Sequence, residues 1–165
     1  MLDALEEAAA RDVLTSCCGA RPWVDAMLAA RPWRDDATLR ACADRCWAAL
    51  TSTQIAEAVS HHPRLGEAKA AATLSARASE WSASEQSGAS AADDALRAQL
   101  ARGNRDYEAR FGHTFILCAS GRSAAEMLAA LRERMANDPA TELRITAAEL
   151  HKITRLRLDK LLASA

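Results

Sequence analysis

Residues 93–119 read DDALRAQLARGNRDYEAR followed by FGHTFILCA, and this stretch decides the fold class. The first part predicts an amphipathic helix over 93–110, because apolar side chains recur at helical spacing toward one side. Those side chains are Leu96, Leu100, Tyr107 and Phe111. The second part is the most strand-like segment of the chain. Since the sequence offers no second strand to pair with it, we interpret residues 112–119 as an extended, buried connector.

The rest of the chain also favours helices. The 165 residues include 40 alanines but only 6 glycines and 4 prolines, and alanine has the highest intrinsic helix propensity. We therefore predict an all-α fold, a compact single-domain bundle of roughly eight helices over residues 1–165. The predicted helix starts include capping residues and a proline: Asp35 or Asp36, Ser123, and Pro139 or Thr141.

Charge and hydropathy argue against several classes of protein. Lysine and arginine number 21 against 22 acidic residues, a net charge of −1, so a basic face for nucleic acid is not indicated. The sequence has no apolar run of the roughly 18 to 20 residues that a membrane span needs. Its first residues, MLDALEEAAARD, are acidic, and its five cysteines favour reduced thiols over a disulfide framework. We expect a cytoplasmic protein without nucleic-acid or membrane partners.

The densest cluster of polar and helix-breaking residues is HHPRLGE, residues 61–67. Pro63 holds His62 in an extended conformation where a helix ends, so that the imidazole can point into a cleft. Imidazole is the side chain best suited to move protons near neutral pH. The alternative is a surface loop that only terminates the helix, and the residues alone leave both readings open.

A second cluster, WSASEQ, covers residues 81–86. Ser82 and Glu85 have the spacing of a capping box, which predicts that a helix over 68–81 ends and that a new one starts at Ser82. The functional alternative places Glu85 and Gln86 in the first turn of that helix, facing a ligand. From spacing alone, the cap is favoured.

Arg157 lies between two leucines in KITRLRL, residues 152–158. Such an arginine is expected to be half-buried and to need a carboxylate or phosphate partner. An acidic side chain of the protein itself is the more common partner. Cys42 and Cys46 are four residues apart, but no second ligand pair follows at zinc-like spacing, so no metal site is expected.

Four motifs in this order carry a resemblance: HHPRLGE, WSASEQSGA, YEARFGHTFILCASGRS and ELHKITRLRLDKLL. Together they resemble the family of 2-oxo-4-hydroxy-4-carboxy-5-ureidoimidazoline (OHCU) decarboxylase, which acts between urate and allantoin. The resemblance covers nearly the whole chain. It implies an all-helical homodimer that uses no cofactor, binds a small-molecule substrate, and forms (S)-allantoin and CO2.

The resemblance also implies a set of site residues. It assigns catalysis to His62 and Glu85. It assigns substrate binding to six residues: Pro63, Ser82, Gln86, Phe115, Ile116 and Arg157. The rival interpretations are a non-catalytic ligand-binding or scaffold protein on the same fold, a helical nucleic-acid regulator, and a different decarboxylase or hydratase acting on a related heterocycle.

Overall fold

The computed structural model describes residues 2–66, 76–90 and 92–163. Within them, a 3-10 turn over Leu2–Ala4 precedes nine α-helices, and no residue forms a strand. The helices are α1 (Glu7–Cys17), α2 (Arg21–Ala29), α3 (Asp36–Ala48), α4 (Ser52–Ser60), α5 (Ala76–Glu85), α6 (Ser87–Ser90), α7 (Asp94–Phe111), α8 (Ala124–Arg134) and α9 (Pro139–Ala163). The all-α prediction is confirmed. None of the described helices is long and apolar enough to cross a bilayer.

Local capping signals set several helix starts as predicted. The Asp35 carboxylate accepts a hydrogen bond from the backbone N–H of Thr38 at the start of α3. Ser123 begins α8 with a complete capping box, in which Ser123 and Glu126 each bind the other's backbone N–H. These bonds satisfy donors that the first turn of a helix otherwise leaves unpaired.

The predicted helix start at Ser82 is wrong. Helix α5 runs through this position, and the Ser82 carbonyl accepts the N–H of Gln86, as inside a helix. No helix breaker stands between Ala76 and Ser82, so the helix continues and the serine side chain is buried instead of capping. Residues 76–81 of the predicted upstream helix belong to α5, and 68–75 lie outside the described residues.

The chain divides into two compact units, the first formed by Met1–Ala58 with His151–Ala165. In it, α1 packs on α2, and α2 packs on α3. Trp23 is fully buried, and its Nε1 donates to the Ala43 carbonyl at 3.1 Å. The Trp47 ring stacks on His151, whose Nε2 lies 2.9 Å from an oxygen of Asp44. The Trp23 hydrogen bond thus links α2 to α3, and the stack of Trp47 on His151 links α3 to α9.

The second unit is Val59–Leu150. Helix α8 packs on α6 and α7, around a core that includes Leu100, Tyr107, Phe115, Met127 and Leu131. Residues 114–119 are neither helix nor strand, and 115–117 are buried. The predicted buried connector is therefore confirmed.

Substitution of Gly88 by alanine is predicted to destabilise the second unit. A Cβ at this position would lie 2.0 Å from the backbone carbonyl oxygen of Arg122, which cannot move without displacing the chain before α8. We expect Gly88→Ala to lower the free energy of unfolding by about 2 to 3 kcal/mol in urea titrations.

Gly103→Ala is the matched control. The atoms nearest to its Cβ would be the side-chain end of Leu131, at 2.9 Å, which can shift more easily than a backbone carbonyl. Alanine also gains up to about 1 kcal/mol of helix propensity over glycine. Equal losses in the two variants would contradict the steric explanation.

Candidate active site

The end of α4 places His62. The helix stops at Ser60, and the backbone N–H of His62 donates to the Val59 carbonyl at 3.0 Å. Residues 61–66, which we name the histidine loop, follow the helix. His62 and Pro63 are half-buried there, and Gly66 adopts the left-handed region with φ +85°. A Cβ at Gly66 would meet nothing within 4 Å, so backbone conformation, not space, favours glycine.

Three of the predicted site residues share one face of α5 and the turn after it. Ser82, Glu85 and Gln86 are spaced i, i+3 and i+4, which places them side by side. All three are buried, and Glu85 is only 6% exposed. Such burial is unusual for a carboxylate and an amide, and it requires polar partners around them.

Gln86 joins this face to the histidine loop. Its side-chain oxygen accepts the backbone N–H of Gly66 at 2.7 Å. The structure thus brings the loop that carries His62 together with the helix that carries Ser82 and Glu85. This bond occupies the amide oxygen, and it leaves the amide nitrogen of Gln86 as the end that donates.

The connector supplies the other predicted pair, Phe115 and Ile116, and both are buried in the second unit. The Ile116 carbonyl accepts a hydrogen bond from Arg134 Nη1 at 2.6 Å. The same guanidinium lies 4.5 Å from the centroid of the Phe115 ring. Farther along, the Cys118 N–H donates to the Glu149 carboxylate at 2.9 Å. Side chains of α8 and α9 therefore satisfy backbone groups that have no strand partner.

Arg134 is held in turn by Glu142, which is fully buried. Arg134 Nε donates to the Glu142 carboxylate at 2.8 Å, and Asn137 Nδ2 donates to it at 2.7 Å. The Tyr107 hydroxyl also donates to it. Burial raises the pKa of Glu142, but these three donors lower it more, so the net pKa lies below its usual value. Burial, together with the Glu142 hydrogen bond, raises the pKa of Tyr107.

Arg157 belongs to the first unit, on α9, and it is 3% exposed, more deeply buried than predicted. Its Nη1 lies 3.5 Å from the Ser16 carbonyl oxygen. Burial raises the pKa of the nearby Cys18 thiol to about 11. The thiol is therefore neutral at pH 7 and adds no negative charge near the guanidinium.

Sequence reasoning missed Asn104, Glu108 and Arg134. Asn104 donates from Nδ2 to the Leu65 carbonyl at 2.8 Å, and Glu108 binds Arg64. The available signal was a polar residue at an apolar position of a helix. Asn104 falls four residues after Leu100, and Arg134 falls three after Leu131, each in line with a buried stripe.

The described residues include no group of three or more His, Cys, Asp or Glu side chains arranged to hold a metal ion. The Sγ atoms of Cys42 and Cys46 lie 3.8 Å apart on α3. Burial raises the pKa of Cys46 to about 11, so its thiol is protonated at neutral pH.

This is an all-helical protein in which the histidine loop is bonded to a buried amide, Gln86, directly after a helix that ends with a buried carboxylate, Glu85. A family model described as OHCU decarboxylase matches residues 3–159. The chain belongs to the OHCU decarboxylase family.

Curated relatives agree with this assignment. The uric acid degradation bifunctional protein TTL of Arabidopsis thaliana is 40% identical over 146 residues, which is 88% of this chain and 45% of the relative. The 2-oxo-4-hydroxy-4-carboxy-5-ureidoimidazoline decarboxylase of Amia calva is 36% identical over 77 residues, which is 47% of this chain and 44% of the relative. The matches thus span less than half the length of these relatives.

Solved structures are similar as well. A crystal structure of OHCU decarboxylase in the presence of (S)-allantoin is 35% identical, with a TM-score of 0.77, over 92% of this chain and 98% of that chain. A structure of (S)-allantoin synthase, at 20% identity and a TM-score of 0.68, covers 96% of this chain and 52% of that chain. The second structure shares the fold alone.

Replacement of Glu142 by glutamine is predicted to destabilise the protein in a pH-dependent way. The variant leaves the buried Arg134 charge without its anion, which costs about 3 to 5 kcal/mol at pH 7. The pKa of Glu142 is lower in the folded protein than in the unfolded chain. The contribution of its carboxylate to the free energy of unfolding is therefore fully present above the unfolded pKa of about 4.3, and it is lost as the pH falls through the pKa of the folded protein.

Urea titrations from pH 7 to pH 3 measure this effect. The gap in unfolding free energy between the wild type and Glu142→Gln should narrow below about pH 4, where the wild-type carboxylate also becomes protonated. Glu133→Gln, at an exposed position of α8, is the control and should track the wild type. A gap that is constant with pH would contradict the role of the charge.

Proposed function

We propose that this chain decarboxylates OHCU to (S)-allantoin and CO2 without a cofactor. The observation that carries the proposal is the hydrogen bond between the Gly66 N–H and the Gln86 side chain, which attaches the loop that carries His62 to the buried residues Glu85 and Gln86. Support also comes from the solved OHCU decarboxylase, 98% of whose chain is matched at 35% identity.

The chemistry sets three requirements. Breaking the bond between ring carbon C4 and its carboxylate leaves an electron pair, and many decarboxylases accept that pair on pyridoxal phosphate or thiamine. In OHCU the adjacent C=N bond of the ring accepts it, and the displaced electrons come to rest on the ring nitrogen. The protein then needs to align the breaking bond with the π system, stabilise charge on ring nitrogen and oxygen, and deliver a proton to one ring face.

His62 is proposed to handle the proton. As CO2 leaves, the electron pair of the broken bond forms a C4=C5 double bond, and the C5=N electrons move onto the ring nitrogen, which takes up one proton. The proton of the 4-hydroxyl then passes to the imidazole while C4 becomes a carbonyl and the C4=C5 pair moves to C5. The imidazole then helps to deliver a proton to the neighbouring ring carbon. One proton is taken up overall, and delivery to a single face gives one enantiomer.

Glu85 is proposed either to orient the imidazole or to sit near the leaving carboxylate. The burial of Glu85 favours one of these roles in catalysis, because burying an ionised carboxylate costs free energy that a merely structural residue would not need. Destabilising a ground-state charge is the contested alternative. Ser82 and Gln86 are proposed to bind the ureido and ring amides, with the Gln86 nitrogen donating to a carbonyl oxygen.

Phe115 and Ile116 are proposed to form a wall of the site and to offer backbone N–H groups. The Ile116 carbonyl is already bonded to Arg134, so the donor side of this segment is the part suited to an anionic ring. Pro63 is proposed to contact the substrate next to His62. Arg157 is proposed to position the substrate, since a full clamp on the departing carboxylate would favour the substrate over the transition state.

The wider setting is also proposed. Residues 1–165 form one OHCU decarboxylase domain that acts as a homodimer in the cytoplasm on a small-molecule substrate. Light scattering of the purified protein tests the dimer.

Fresh OHCU, generated from urate by urate oxidase and the upstream hydrolase, provides the substrate for an activity test. Added protein should make (S)-allantoin accumulate faster than without it, as measured by circular dichroism. His62→Asn should abolish this gain, and His61→Asn is the matched control from the same loop. Binding of (S)-allantoin without any gain in rate would favour the non-catalytic ligand-binding interpretation.

Arg157→Lys keeps the charge but loses the planar fork of donors. We expect KM to rise by about tenfold, equivalent to about 1.4 kcal/mol of binding. Arg155→Lys, on the exposed side of the same helix, should leave KM unchanged. An unaltered KM in Arg157→Lys would remove this residue from the site.

A further inference from the structure

We propose that Asn104 and Glu108 of α7 are positioning residues for His62. This inference rests on the proposed function, in which the imidazole of His62 handles the proton. It follows from the way in which the histidine loop is attached on both sides of that residue.

Few rotatable backbone bonds lie between His62 and the groups that hold the chain on either side of it. On the N-terminal side, its N–H is bonded to the Val59 carbonyl at 3.0 Å. On the C-terminal side comes Pro63, whose ring fixes its own φ near −65°. The position and orientation of the His62 backbone, from which the imidazole projects, therefore depend on where residues 64–66 are held.

Each of those three residues is held by a side chain. Arg64 makes a two-bond pair with Glu108, with Nε to Oε1 at 2.7 Å and Nη2 to Oε2 at 2.8 Å. The Leu65 carbonyl accepts from Asn104 Nδ2 at 2.8 Å, while the Gly66 N–H is bonded to the Gln86 side chain. Asn104 and Glu108 are spaced i, i+4, so one face of α7 supplies two of the three attachments.

Stability alone does not account for these two residues. The Asn104 Oδ1 atom is buried and has no hydrogen-bond partner among the described residues, which is a desolvation penalty. The side chains of Arg64 and Glu108 are 47% and 23% exposed, so solvent screens the pair and its contribution to stability is modest, while its two parallel bonds set a specific geometry. What both residues do supply is a fixed geometry for the loop that carries His62.

Two sets of variants test the proposal with OHCU as the substrate. Asn104→Leu has nearly the same shape, but its side chain has no donor for the Leu65 carbonyl. Glu108→Arg places like charges together, and adding Arg64→Glu restores an ion pair of reversed sense. Both single variants should lower kcat at least tenfold, roughly the cost of misplacing a reacting group by a fraction of an ångström, with KM within about twofold.

The double variant Arg64→Glu, Glu108→Arg should recover most of kcat, which a purely structural defect of Glu108→Arg would not do. Asp106→Asn is the control on α7, because Asp106 pairs with exposed Arg102 and does not bind the loop. Far-UV circular dichroism and urea midpoints establish that each protein is folded. If Asn104→Leu does not fold, the swapped pair decides the question.

The outcomes separate the two proposals. Turnover by the wild type with unchanged kcat in both single variants overturns the positioning role alone, as does a swapped pair that fails to recover kcat. No turnover of OHCU by the wild type overturns the proposed function and this inference together.

Discussion

The buried ion pair between Arg134 and Glu142 is the interaction on which the second unit depends. Glu142 is fully buried, and removing two charges from water costs several kcal/mol per ion. That cost is offset only because nearly every polar group of the pair has a partner. Tyr107 and Asn137 bind the carboxylate, while the guanidinium also reaches the Ile116 carbonyl.

The connector explains why such an expensive pair is present. A buried segment that is neither helix nor strand has backbone groups without a regular partner, and leaving them unsatisfied is costly. Arg134 binds the Ile116 carbonyl, and Glu149 accepts the Cys118 N–H. Two charged side chains thus do for this segment what a neighbouring strand does in a sheet. They also fix its direction, which matters if this segment forms a wall of the site.

Much of the fold was predictable because its signals are local. Asp35 and Ser123 cap helices through bonds that span three residues, and the sequence shows both partners. The spacing of Ser82 and Glu85 is the counterexample, since the same residues serve as a cap or as a buried face depending on what precedes them. The site residues were harder to predict from the sequence. Residue types alone left His62 and Arg157 undecided, and the resemblance of four motifs supplied their roles.

What the sequence could not give is the identity of long-range partners. Asn104 and the Leu65 carbonyl are 39 residues apart, and Arg134 and the Ile116 carbonyl are 18 residues apart. A polar residue within an apolar stripe does signal that some buried group needs it, because desolvation otherwise selects against it. The pattern identifies the buried polar residue but not the group that it binds. That group is often a backbone carbonyl, and every residue has one. Backbone groups in non-helical segments are therefore the first place to seek partners for such residues, and both Asn104 and Arg134 have theirs there.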